Sequence, residues 1–199
     1  MISGIILAAG LSERMGGDVP TQLRTIDGVP MVAIAAAGAV KSLLDEVVVV
    51  TGHEADAVAE AVAATGARVA VNPSYMEGNM TSLRVGAQAL AGSDAYVLLL
   101  ADMPGVTTRI IDEMVKVWRE DRPWAAVAVY RDGIRHPVLL SADAMDRVVP
   151  CSGPKAVWRM LEDADPAAVH QVPFDMDAPM DVNTPADYET ISREAPGLD

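Results

Sequence analysis

The chain has a single cysteine, Cys151, so no intramolecular disulfide can form. Stability has to come from a packed core, as expected in a reducing compartment. Lysine is nearly as scarce: Lys41, Lys116 and Lys155 are the three in the chain. Lys+Arg total 15 against 28 Asp+Glu, giving a formal net charge of −13 and a pI near 4.5. Nucleic-acid binding relies on clustered cations that release counterions, so no nucleic-acid partner is expected. A small phosphorylated ligand is compatible with this charge, because a few arginines, backbone amides and a metal can build one positive pocket on a negative protein. No apolar run is long enough to cross a membrane, and the opening MISGIILAAG lacks the basic start and apolar length of a signal peptide. A cytoplasmic protein without a membrane partner is the expectation.

The 199 residues, 51% of them hydrophobic, suffice for one continuous core. We therefore expect one domain over residues 1–194, followed by a frayed tail at 195–199. Four apolar runs, Ile2–Leu7, Glu46–Val50, Arg68–Val71 and Ala95–Leu100, lack clean alternation and read as parallel strands buried on both faces. Alanine-rich segments of helical spacing lie between and before them, at Met31–Leu44, Glu54–Ala64 and Thr81–Leu90. A helix over Thr107–Arg119, capped by Thr107 or Thr108, follows. Trp124–Tyr130 and Ile134–Leu140 flank Asp132-Gly133 and read as an antiparallel pair. Helices near Ala142–Val148, Lys155–Glu162 and Pro185–Arg193 and a strand near Val169–Val172 complete the pattern. The expected class is α/β: a doubly wound, Rossmann-like, mostly parallel sheet with one antiparallel strand pair. Such sheets bind ligands at the carboxyl ends of their strands, which selects the loops Ala8–Gln22, Thr51–Glu54 and Asp102–Val106.

The first of these is LAAGLSERMGG, residues Leu7–Gly17. Small residues at Ala8, Ala9 and Gly10 let backbone approach a phosphate, and consecutive amides can form an anion nest that Arg14 reinforces. On spacing alone, a glycine-rich turn with Arg14 on the surface accounts for it equally well.

With the other motifs added, the sequence resembles the MobA/MocA-like nucleotidyltransferases. Val50-Thr51-Gly52-His53, Asn72-Pro73, the run EGNMTSLRVG from Glu77 to Gly86, Ala101-Asp102-Met103-Pro104, His136-Pro137 and Asp181-Val182-Asn183-Thr184-Pro185 fall in the order of that family. EGNMTSLRVG and RHPVLL are most similar to the molybdopterin cytidylyltransferase branch. The resemblance implies an enzyme that binds a nucleoside triphosphate, CTP or GTP, along Leu7, Ala8, Ala9, Gly10, Arg14, Thr21 and Ser82. It implies Mg²⁺ held by Asp102 with Asp181 and Asn183, and catalytic roles for Arg14 and Asp102. It further implies a phosphorylated acceptor such as molybdopterin near His136 and Lys155, and a molybdoenzyme as a protein partner. A hard cation that neutralises charge at an α-phosphorus suits these oxygen ligands.

One position departs from the family pattern. Where relatives continue the signature into a lysine followed by Gln-Leu, this chain has Thr21-Gln22-Leu23. Arg24 is the nearest candidate for the missing charge, and a nucleotide-binding homologue with little transfer activity is the alternative. A second alternative is an NAD(P)H-dependent reductase of the nicotine-blue type, although no GxGxxG follows the first strand and no acidic residue ends the second. His53 and His136 are read as structural, His136 less firmly. Lys155 is balanced between phosphate binding and a solvated first-turn lysine. Met15, Met76, Met80 and Met103 fall in loops of the expected site, where they can pack against a ligand.

Overall fold

A computed structural model describes residues 1–12, 14–16, 19–153 and 155–194. The expected frayed tail at 195–199 lies outside these, as do Glu13 and Gly17 of the signature and Pro154. Seven strands form one sheet in the order β5-β4-β1-β6-β8-β7-β9. They are β1 (Ile2–Ala8), β4 (Glu46–Thr51), β5 (Arg68–Val71), β6 (Ala95–Leu100), β7 (Ala125–Tyr130), β8 (Gly133–Ser141) and β9 (Val169–Pro173). β2 (Thr25–Ile26) and β3 (Val29–Pro30) make a separate small hairpin. The helices are α1 (Met31–Val40), α2 (Ala55–Val62), α3 (Asn79–Ala89), α4 (Thr108–Asp121), α5 (Ala142–Val148), α6 (Ala156–Glu162) and α7 (Pro185–Glu194).

The expected class matches this architecture, and the register refines it. β8 alone runs against the sheet, pairing antiparallel with both β6 and β7, while β7 pairs parallel with β9. Strand alternation divides the core into two layers. Ile2, Ile6, Val97 and Leu99 face α1, α2 and α4. Ile5, Val48, Val50 and Leu98 face α3 and α5. Gly86 lets α3 approach closely: a Cβ there would lie 2.6 Å from Cγ2 of Ile5. A third cluster of Met15, Ile26, Met31, Val182 and Ile191 anchors α7 under the signature loop.

The chain first builds outward from β1 to β4 and β5, then returns to place β6 on the other side of β1. This reversal is the topological switch point, where the loops after β1 and β6 diverge and leave a crevice. α1 ends at Val40, four residues short of the expected Leu44, because Leu43 donates its N–H to Oδ1 of Asp112 on α4. Thr107 occupies the α4 N-cap without a side-chain bond, and Thr108 instead donates to the carbonyl of Gly38, tying α4 to α1. No helix among the described residues is long and apolar enough to cross a membrane.

Candidate active site

The loop leaving β1 is closed by side chains rather than by ladder bonds. Ser12, at φ 57°, accepts from the Thr21 amide at 2.9 Å and donates to Gln22 Oε1 at 3.0 Å. The buried Gln22 amide donates to the carbonyls of Ala8 and Gly10 at 3.3 and 3.4 Å. Both ends of the loop are thereby fixed to each other. Arg14 is exposed on it and donates to Oδ1 of Asn183, 169 positions away in the chain.

The opposite wall starts where β6 ends. The Ala101 amide bonds to the Leu7 carbonyl at 3.2 Å, and the Val182 amide bonds to the Asp102 carbonyl at 2.9 Å. These two bonds bring β1, Asp102 and the 181–183 segment side by side. Burial pushes the Asp102 carboxyl up to about 7, the negative charge of Asp181 adds to this, and Arg14 partly opposes it. Two carboxylates so close repel unless a proton or a cation lies between them. Among the described residues no group of three or more His, Cys, Asp and Glu gathers as a metal cage. Two carboxylates with the remaining positions left to water and phosphate oxygens is a donor set that suits a hard divalent cation.

A cleft of about 710 Å³ separates these walls. Leu7, Ala8, Ala9, Gly10, Arg14, Thr21 and Ser82 line it together with Asp102, Asp181 and Asn183. Ser82 is buried, and its Oγ accepts from Asn72 Nδ2 at 2.9 Å. His136 and Lys155 are not in this cleft; they border adjoining cavities of about 950 and 660 Å³. Asp181 and Leu100 are shared with the first of these cavities, and Leu7, Gly78, Asn79 and Leu100 with the second. The His136 ring lies edge-on to Trp158 at 5.4 Å, with Nδ1 3.4 Å from the Leu98 carbonyl, and burial lowers its pKa.

Several expectations need adjustment. Arg24 does not line the cleft: it donates to the Gly16 carbonyl at 3.0 Å and its guanidinium lies over the Tyr188 ring. Met15 is core. Met80 and Met103 are buried at the walls of the adjoining cavities, and Met76, 75% exposed, stands at the cleft itself. Sequence reasoning passed over Gln22, Asn79 and Tyr75. Tyr75 is seated against Gly52, where any Cβ would lie 2.5 Å from its own Cβ. The Gln22 signal was visible in its place beside Thr21, yet nothing local indicates that its amide turns back to Ala8.

The family model of the MobA-like NTP transferase domain matches residues 4–170. The chain belongs to the MobA-like NTP transferase family. Its likeness to solved structures extends over nearly the whole chain. Rv0371c from Mycobacterium tuberculosis H37Rv is 28% identical, with a TM-score of 0.86 over 96% of this chain and 97% of that one. A structure of Rv0371C in complex with manganese is 26% identical, with a TM-score of 0.82 over 98% and 99% of the two chains. The bifunctional protein GlmU of Paracoccus denitrificans (strain Pd 1222) is 32% identical over 173 residues, which are 82% of this chain and 34% of that protein. The chain thus spans about a third of the length of that relative, and a quarter of GlmU from Nitratidesulfovibrio vulgaris.

Proposed function

We propose that this transferase moves CMP, and less readily GMP, from a Mg²⁺-bound triphosphate to a phosphorylated acceptor such as molybdopterin, releasing pyrophosphate. The observation that carries this reading is the meeting of the signature loop with Asp102 and Asp181 across one cleft at the switch point. The amides from Ala8 to Gly10 cradle the nucleotide, Ser82 flanks the base, and Arg14 leaves Asn183 to pair with the β- or γ-phosphate. Asp102 and Asp181, with Asn183 as a third oxygen donor, would hold the cation, whose charge would offset the negative charge of the triphosphate. That a relative forms a complex with manganese supports use of a divalent ion by this chain. Cytidine preference and the pterin acceptor rest on the likeness of EGNMTSLRVG and RHPVLL to cytidylyltransferase segments. His136 and Lys155 lie where an acceptor would enter, and a molybdoenzyme is the partner that would receive the product.

Arg14 is the one cation among the described residues lining the cleft, and Thr21 brings no charge. We therefore expect transfer to be slow. Titrating the protein with CTP, GTP, ATP and UTP in Mg²⁺ tests the reading: CTP binding tightest supports it, and nucleotide binding indifferent to metal would refute the assigned roles.

A further inference from the structure

Asn72, the residue after β5, is 1% exposed, and its neighbours decide which way its carboxamide points. The Ser74 backbone amide can only donate, so its 2.9 Å bond fixes the Asn72 oxygen. The two Nδ2 hydrogens must then turn the other way, to the hydroxyls of Thr81 at 2.8 Å and Ser82 at 2.9 Å. Both hydroxyls therefore accept from Asn72 and keep their own protons to give. Thr81 gives its proton to the carbonyl of Gly78 or of Ser74, at 2.8 and 3.0 Å. The Ser82 proton has no acceptor among the described residues, although Ser82 is 4% exposed and lines the nucleotide cleft. A buried hydroxyl with an unused proton at a cleft wall favours a ligand that brings an acceptor.

We propose that Asn72 is a positioning residue that sets Ser82 as a hydrogen-bond donor, and that Ser82 gives this bond to the ring nitrogen N3 of cytosine. The inference rests on the transferase reading, in which Ser82 flanks the base. Cytosine N3 is a bare acceptor, whereas uracil carries an N–H there; the O2 carbonyl is an acceptor in both and cannot separate them. With uracil, the Ser82 oxygen would have to accept from the base as well as from Asn72. Its own proton would then stay buried without a partner, and that loss is what disfavours uracil. Asn72 thus sets the choice of base without touching the nucleotide.

Calorimetric titration of the full chain with CTP and with UTP in saturating Mn²⁺ tests the assignment through the ratio of the two affinities. Wild type should favour CTP roughly tenfold, the range expected for leaving one buried donor without a partner. Ser82→Ala should bring the ratio to within about twofold of unity. In Asn72→Asp the carboxylate takes the Ser82 proton and leaves a lone pair toward the base, so UTP should become the preferred nucleotide. If that variant does not fold, Asn72→Ala decides: water in place of the carboxamide can donate or accept, so the ratio should again fall to within about twofold of unity. A merely structural role for Asn72 would weaken both nucleotides and keep their ratio. CTP preference that survives Ser82→Ala or the Asn72 substitutions, or a wild type that binds CTP and UTP alike, would overturn the proposal. Absence of metal-dependent binding of either nucleotide by the wild type would instead remove the transferase reading beneath it.

Discussion

Burial of Asp102, with the like charge of Asp181 beside it, keeps its carboxyl protonated up to about pH 7. Because the folded pKa is raised, the metal-free protein loses this group's contribution to stability as pH climbs from the ordinary carboxylate range through about 7. A divalent cation must displace that proton. Manganese affinity should therefore rise about tenfold between pH 6 and pH 8, measured by calorimetry, and a flat profile would place the cation elsewhere. Arg14 faces the same carboxylates from the signature loop and has Asn183 as its partner. Arg14→Ala should weaken CTP by roughly tenfold more than CMP, because the lost fork serves the outer phosphates. Equal losses for the two nucleotides would put Arg14 at the base or at no ligand.

The signature loop and α3 are the elements that shape the cleft. Thr21 begins the turn that Ser12 and Gln22 brace, and it lines the cleft without bringing a charge. Thr21→Lys should raise the transfer rate by roughly tenfold or more, with CTP affinity little changed, since a fixed cation acts on charge that develops in the transition state. A wild-type rate in the ordinary enzyme range, unchanged by the substitution, would contradict this. Gly86 permits α3 to sit on β1, so Gly86→Ala should cost about 1–3 kcal/mol in urea unfolding. A loss within about 0.5 kcal/mol would mean the helix moves freely, and Ser82 and Arg84 with it. The buried strands β1, β4 and β6 were legible because parallel strands covered on both faces are unbroken apolar runs, whereas β5, expected to be buried on both faces, is the edge strand and exposes Arg68, Val69 and Val71. The β2–β3 hairpin around Asp27-Gly28 was not, since two-residue strands are too short to show a period. The end of α1 was lost for another reason: Asp112 decides it from 69 positions away.

Across the whole molecule, the reversal of strand order at β1 gathers residues from 7 to 183 into one place. The motifs named the signature loop, Asp102 and the 181–183 segment, and the fold sets all three around the same cleft. It could not be read from the sequence that Arg24 turns to Tyr188, or that Arg84 reaches the carbonyls of residues 65 and 67 positions further on. Such contacts depend on packing between elements, which local pattern does not encode. The most direct measurement compares wild type with Asp102→Asn for metal-dependent CTP binding and for pyrophosphate release. The substitution removes one anionic ligand while nearly preserving shape, so thermal stability without metal should hold or rise as the repulsion from Asp181 is relieved. Metal-dependent CTP affinity should fall by roughly tenfold or more and pyrophosphate release should cease. Unchanged metal-dependent binding and turnover in a folded Asp102→Asn protein would contradict the assignment of this cleft.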